Sequence, residues 1–175
     1  MSTRPSWADS AALLPYAIGE AKPDKQALTE LERTLRSSAP WAWRWVVNLC
    51  VAARLYARAG DPAAGRRLLA SISATNRSAL YGSEVARLEG ELTLQSDRSA
   101  TAEAERCFRS ALQIAQSQGG KSLELRAAMS LARLWQSQRR REEAHAALAG
   151  VYGWFTEGFD TADLKAAKAL LETLA

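Results

Sequence analysis

SLELRAAMSLARLWQSQRRREEAHAALAGVYGWFTEGFDTADLKAAKALLETLA, residues 122–175, decides the fold. Its apolar positions recur at helical spacing, and its polar breaks fall where a hairpin needs them. The pattern predicts a helix over 122–138, a break at 139–141 and a second helix over 142–157. Gly158 stops that helix, and Asp160 or Thr161 caps a closing one with Leu164, Ala167, Leu171 and Leu174 on one face. The unit is a helical hairpin plus one further helix.

The rest of the 175-residue chain fits the same scheme. Hydrophobic residues make up 47%, and there are only 10 glycines and 5 prolines, a globular composition rich in strong helix formers. An all-α protein with one domain over 1–175 is expected. Pro40 opens a strong helix, Gly60 ends it, and Asp61-Pro62 start its partner. Helices are predicted from Tyr81 to Ser96 and from Thr101 to Gln118, with a turn at 97–100 between them. Gly119-Gly120 end the second of these. Residues 1–39 are less regular and read as two N-terminal helices, with Ser6 and Asp24 as caps.

Helix, short turn, helix, repeated, calls for a search for a period. With Ala53, Gly90 and Ala132 in register, small residues recur twelve or fourteen positions on, at Gly65, Ala104 and Ala144. Large apolar residues follow at Leu69, Phe108 and Leu148. Tyr56 and Trp135 fill a bulky position, where the middle unit has Thr93. Small residues allow helices to cross closely, and large ones fill the space beside the crossing. This register resembles the tetratricopeptide pattern. It implies an α-solenoid of about three hairpins (40–77, 78–120 and 121–158), capped by helices at 1–39 and 160–175.

A narrower resemblance rests on RLEGELTL (87–94), AEAERCFRSALQIAQSQGGKSLELRAAMSLARLW (102–135) and GVYGWFTEGFDTADLKAAKALLETLA (150–175). These runs look like the C-terminal repeat tail of bacterial signalling proteins that carry an adenylate/guanylate cyclase and an ATPase module. No cyclase or ATPase sequence is present here, so the resemblance implies the tail's interaction or regulatory role and no catalytic activity.

Other signals have plainer readings. AQSQGGKS (115–122) formally fits a relaxed phosphate-loop pattern, but it follows a helix and not a strand, so it reads as a turn between units. The one histidine, His145, falls outside the packing positions and has no catalytic partner at defined spacing. Cys50 and Cys107 read as small buried hydrophobes. No metal or cofactor site is expected, and no catalytic residue. Arg139, Arg140 and Arg141 read as a solvated turn between helix ends of opposite polarity. The formal net charge of +4 does not single out nucleic acid, which would need a continuous basic face. No leader and no membrane-spanning run is evident, and a cytoplasmic location is expected. Trp41 and Trp45 share a face and suit a core, Trp43 points elsewhere as an aromatic anchor for a partner, and Trp154 and Phe155 are expected to pack under the closing helix.

The informative remainder is one groove. In tetratricopeptide arrays the first helix of each pair lines a concave face. Here its positions are Val47, Cys50, Arg54, Ala57 and Arg58; Glu84, Arg87, Glu91, Leu94 and Gln95; and Arg126, Met129, Arg133, Gln136 and Ser137. Five arginines face it, and arginine grips carboxylates bidentately, so an acidic peptide or helix of a partner protein is the expected guest. The alternative is a wet groove whose arginines pair internally, Arg87 with Glu91 for example. The expected function is non-enzymatic protein binding. A regulatory tail or subunit of a cyclase–ATPase system is the second expectation, and nucleic-acid binding the third. Oligomers are compatible with all three.

Overall fold

A computed structural model describes residues 43–72 and 81–175, together with Leu28. In these residues the chain is all-helical, with seven helices. They are α1 (Trp43–Arg58), α2 (Pro62–Ala70), α3 (Gly82–Ser96), α4 (Thr101–Ser117), α5 (Lys121–Ser137), α6 (Arg141–Tyr152) and α7 (Ala162–Leu174). The expected helices at 1–39, Pro40, Trp41 and the side chains of Trp43 and Trp45 lie outside the described residues. The aromatic-anchor expectation for Trp43 falls there with them.

Local chemistry sets the helix ends. Asp61 caps α2, its carboxylate accepting from the Ala64 amide at 2.8 Å, with Pro62 in the first turn. Gly119 ends α4 at φ +66°. Arg139 makes the equivalent turn after α5 at φ +65°, a conformation a side chain adopts at a cost. Thr161 begins α7, but its hydroxyl turns back and donates to the Gly158 carbonyl at 2.8 Å, closing the preceding turn.

Two expectations at this end are corrected. The helix expected over 142–157 stops at Tyr152, and Gly153 takes the cap position with its amide donating to Ala149. The chain then turns sharply, so Trp154 does not pack under the closing helix. It is 58% exposed, with the Lys121 ammonium 5.5 Å from its ring. Phe155 does turn inward and packs against the core of α4–α7.

Each helix packs on its sequence neighbour. First helices of successive pairs also meet, α1 with α3 and α3 with α5, and α2 meets α3. The core falls into two main clusters of side chains, with a smaller one at Ala86, Ala111 and Ala127. Leu49, Leu55, Leu69, Leu88 and Leu92 fill the α1–α3 part. Phe108, Leu125, Leu131, Leu148 and Leu164 fill the α4–α7 part. α3 is buried along most of its length because helices cover it on both sides.

Glycines mark the closest crossings. A Cβ on Gly65 would lie 2.6 Å from the carbonyl oxygen of Ala53, and one on Gly90 would lie 2.5 Å from the Phe108 ring. Three long-range contacts share one spacing. Arg66 to Glu103, Arg126 to Asp163 and Gln136 to Thr173 each join residues 37 apart. The last two tie the start of α7 to the early part of α5, and its end to the end of α5. The two helices therefore run parallel.

Trp135 anchors the second half. The guanidinium groups of Arg109 and Arg140 lie 5.2 and 4.7 Å from its ring, a double cation–π contact. Glu105 ties both arginines together. Burial pushes its carboxyl up, but the hydrogen bond from Arg109 and the charge of Arg140 outweigh this and hold it below the usual range.

Thr93, the residue that departs from the bulky position of the other units, is buried, and its hydroxyl has no hydrogen-bond partner. Thr93→Val removes that orphan at nearly constant volume. It should raise the unfolding free energy by about 1 kcal/mol. Urea denaturation measures this, and a loss of stability would show that the hydroxyl is satisfied.

Candidate functional site

A cleft of about 970 Å³ opens between the C-terminal halves of α1, α3 and α5. Six of its lining residues are groove positions named from the register: Ala57, Glu91, Leu94, Gln95, Arg133 and Ser137. Leu134 and Phe108 add apolar surface, Ser130 adds a hydroxyl, and Arg98 joins from the turn between α3 and α4. The cleft is apolar along its floor and cationic at its rim.

The arginines around it fall into two groups. Arg87 is locked. Its Nε and Nη2 donate to the two carboxylate oxygens of Glu84, each at 2.8 Å. Its Nη1 donates to Glu91 and, at 3.3 Å, to Ser130 Oγ. The Ser130 hydroxyl in turn donates to Glu91 at 3.1 Å. Arg87 and Glu84 are both buried. Burial works against the guanidinium charge, but the hydrogen bond to Glu84 and the charge of Glu91 raise its pKa above the ordinary arginine value. This network occupies the donors that a guest carboxylate would need, so Arg87 serves to join α3 to α5 through Ser130 and does not line the cleft.

The second group is available. Arg98 and Arg133 are exposed, both line the cleft, and neither makes an ion pair or side-chain hydrogen bond among the described residues. Arg54 is also exposed and unpaired among the described residues, and it does not line the cleft. Arg58 is exposed and makes an interaction of its own. Arg98 lay in a turn that sequence reasoning passed over. Its signal was present, an arginine two residues after the helix, but a helix-face register does not extend into a turn.

The other named positions serve the α7 end. Arg126 donates to Asp163 at 2.7 Å, and the Gln136 amide donates to the Thr173 hydroxyl at 3.1 Å. Met129 is buried in the core. Of the charged groove positions Arg54, Arg58, Glu84, Arg87, Glu91, Arg126 and Arg133, the structure brings Glu91 and Arg133 to the cleft and ties Glu84 and Arg87 to Glu91 beside it.

Cys50 sits behind this network. Burial, with the negative charge of Glu84 next, pushes its thiol up to about 12. It stays protonated at neutral pH and is a poor nucleophile. Burial also raises the half-buried Cys107 thiol. No group of three metal-ligating side chains occurs among the described residues, and none of the described helices is long and apolar enough to cross a membrane. The chain matches no protein-family model and no curated protein sequence.

Proposed function

We propose that this chain is a tetratricopeptide-like α-solenoid that binds a segment of another protein, without catalysis, in the cleft rimmed by Arg98 and Arg133. The observation that carries the reading is the cleft itself. Register positions chosen for a concave binding face line a common cavity of about 970 Å³, within the range of ligand sites. The repeated 37-residue spacing of contacts between helices supports the solenoid reading. In it α7 takes the place of the first helix of a fourth unit.

The guest carries carboxylates for the two open guanidinium groups and an apolar side chain for the floor formed by Leu94 and Leu134. Selection from a random peptide library on the full chain tests this. Enrichment of Asp and Glu beside an apolar residue is expected, with Arg98→Glu plus Arg133→Glu weakening the selected peptides at least about tenfold at unchanged helicity. Selected peptides indifferent to both reversals would overturn the cleft assignment.

A regulatory role toward a cyclase–ATPase enzyme is the second reading, carried by the likeness of residues 150–175. It requires that adding the chain change that enzyme's rate.

A further inference from the structure

The largest exposed aromatic side chains among the described residues sit together. Trp154 is 58% exposed and Phe159 is 46% exposed, both in the segment between α6 and α7. The segment is braced from within, Trp154 edge-on to Phe155 at 5.3 Å and Phe159 tilted on Tyr152 at 5.9 Å. It also carries Glu157 and Asp160, both exposed and without an ion-pair partner among the described residues. Two aromatics and two open carboxylates within seven residues make a compact apolar and acidic knob.

That is the chemistry the cleft lacks. The cleft offers an apolar floor and two open arginines, and the knob offers apolar side chains and two open carboxylates. Each surface leaves unpaired what the other supplies, and the charges are opposite. Trp is favoured as a buried anchor at protein contacts, with arginine a common companion.

We propose that the 154–160 segment of one copy docks in the Arg98–Arg133 cleft of a second copy, joining molecules head to tail. The contact does not form within one chain. The knob borders a concavity lined by Leu125 and Arg126, while the cleft is lined by Arg133 and Leu134 further along the same helix. Nine residues of α5 separate Leu125 from Leu134, roughly 13 Å along the axis. The knob is held at both ends, by α6 and by the Arg126–Asp163 ion pair that fixes the start of α7.

A head-to-tail contact uses two different surfaces, so it leaves one of each free and growth continues past the dimer unless a ring closes. The inference rests on the cleft reading, and the test separates the two. Sedimentation and light scattering of the full chain should show an average mass that climbs with concentration without a plateau at the dimer. Arg98→Glu plus Arg133→Glu should make the protein monomeric, as should Glu157→Lys plus Asp160→Lys. Both pairs are exposed, so circular dichroism should show unchanged helicity. Mixing the two variants is the decisive arm, since one keeps an intact knob and the other an intact cleft. The two reversed surfaces also carry opposite charges, so the mixture should regain concentration-dependent growth through both contacts. A wild-type protein that stays monomeric, a dimer plateau insensitive to both variants, or a mixture that fails to combine would each overturn the proposal. If a monomer still binds acidic peptides selected from the library, the cleft reading stands and only self-docking fails. If no peptide binds either, both fail.

Discussion

Arg87→Met lowers the unfolding free energy by about 3–5 kcal/mol, because it leaves a buried carboxylate without its counter-charge. Glu84 keeps two buried oxygens that have lost both hydrogen bonds from Arg87, with Glu91 two turns away on the same helix. Adding Glu84→Leu to Arg87→Met should recover most of the loss, since a fully apolar pair leaves nothing uncompensated. Urea denaturation measures all three proteins. A deficit below about 1 kcal/mol would show that Glu84 finds water or another partner.

The outcome matters for the cleft. Arg87 holds the floor in place through Ser130 on α5, and a variant lacking it should bind selected peptides less tightly by loosening that floor. Arg98→Glu should weaken them with stability unchanged, since Arg98 is exposed and unpaired among the described residues.

The helices and their crossings were legible in the sequence for a physical reason. Small residues at close crossings and large ones beside them leave a periodic trace, and Gly65, Gly90, Phe108 and Leu148 all carry it. Asp61 with Pro62 and Gly119 announced helix ends in the same local way. The state of each arginine left no such trace. Arg87 sits three residues from Glu84 and four from Glu91, and both partners suit a surface helix pair just as well. What buries them is Ser130 and the body of α5, some forty residues away. The end of α6 was misread for a related reason. The run after Tyr152 has helical periodicity, but Gly150 and Gly153 weaken the helix there, and Phe155 gains more by turning into the core than by extending the helix. The exposure of Trp154 follows from that turn.

Gly65→Val should cost at least about 3 kcal/mol, the upper part of the range for overpacking a filled core. A Cβ at residue 65 would sit 2.6 Å from the carbonyl oxygen of Ala53, 3.3 Å from its carbonyl carbon and 3.2 Å from Leu92 Cδ1. The nearest obstacle is backbone, so no rotamer change relieves it. α1 and α2 must move apart, and Leu49, Leu55 and Leu69 lose contact as they do. Gly60→Ala is the control that separates space from conformation. Nothing lies within 4 Å of its Cβ, but its φ of +94° disfavours a side chain, so the loss should be only about 1–2 kcal/mol. Thermal denaturation ranks the two, with Gly65→Val falling by roughly 6–12 °C for a chain of this size. A Gly65→Val protein within about 1 kcal/mol of wild type would mean that α1 and α2 are not held at this crossing. The separation carries a functional consequence that a simple loss of stability does not. Ala57, Gly60 and Pro62 form the α1–α2 wall of the cleft. Peptide binding should therefore weaken even at temperatures where Gly65→Val remains folded, whereas Thr93→Val, whose side chain lies outside that wall, should bind as wild type does.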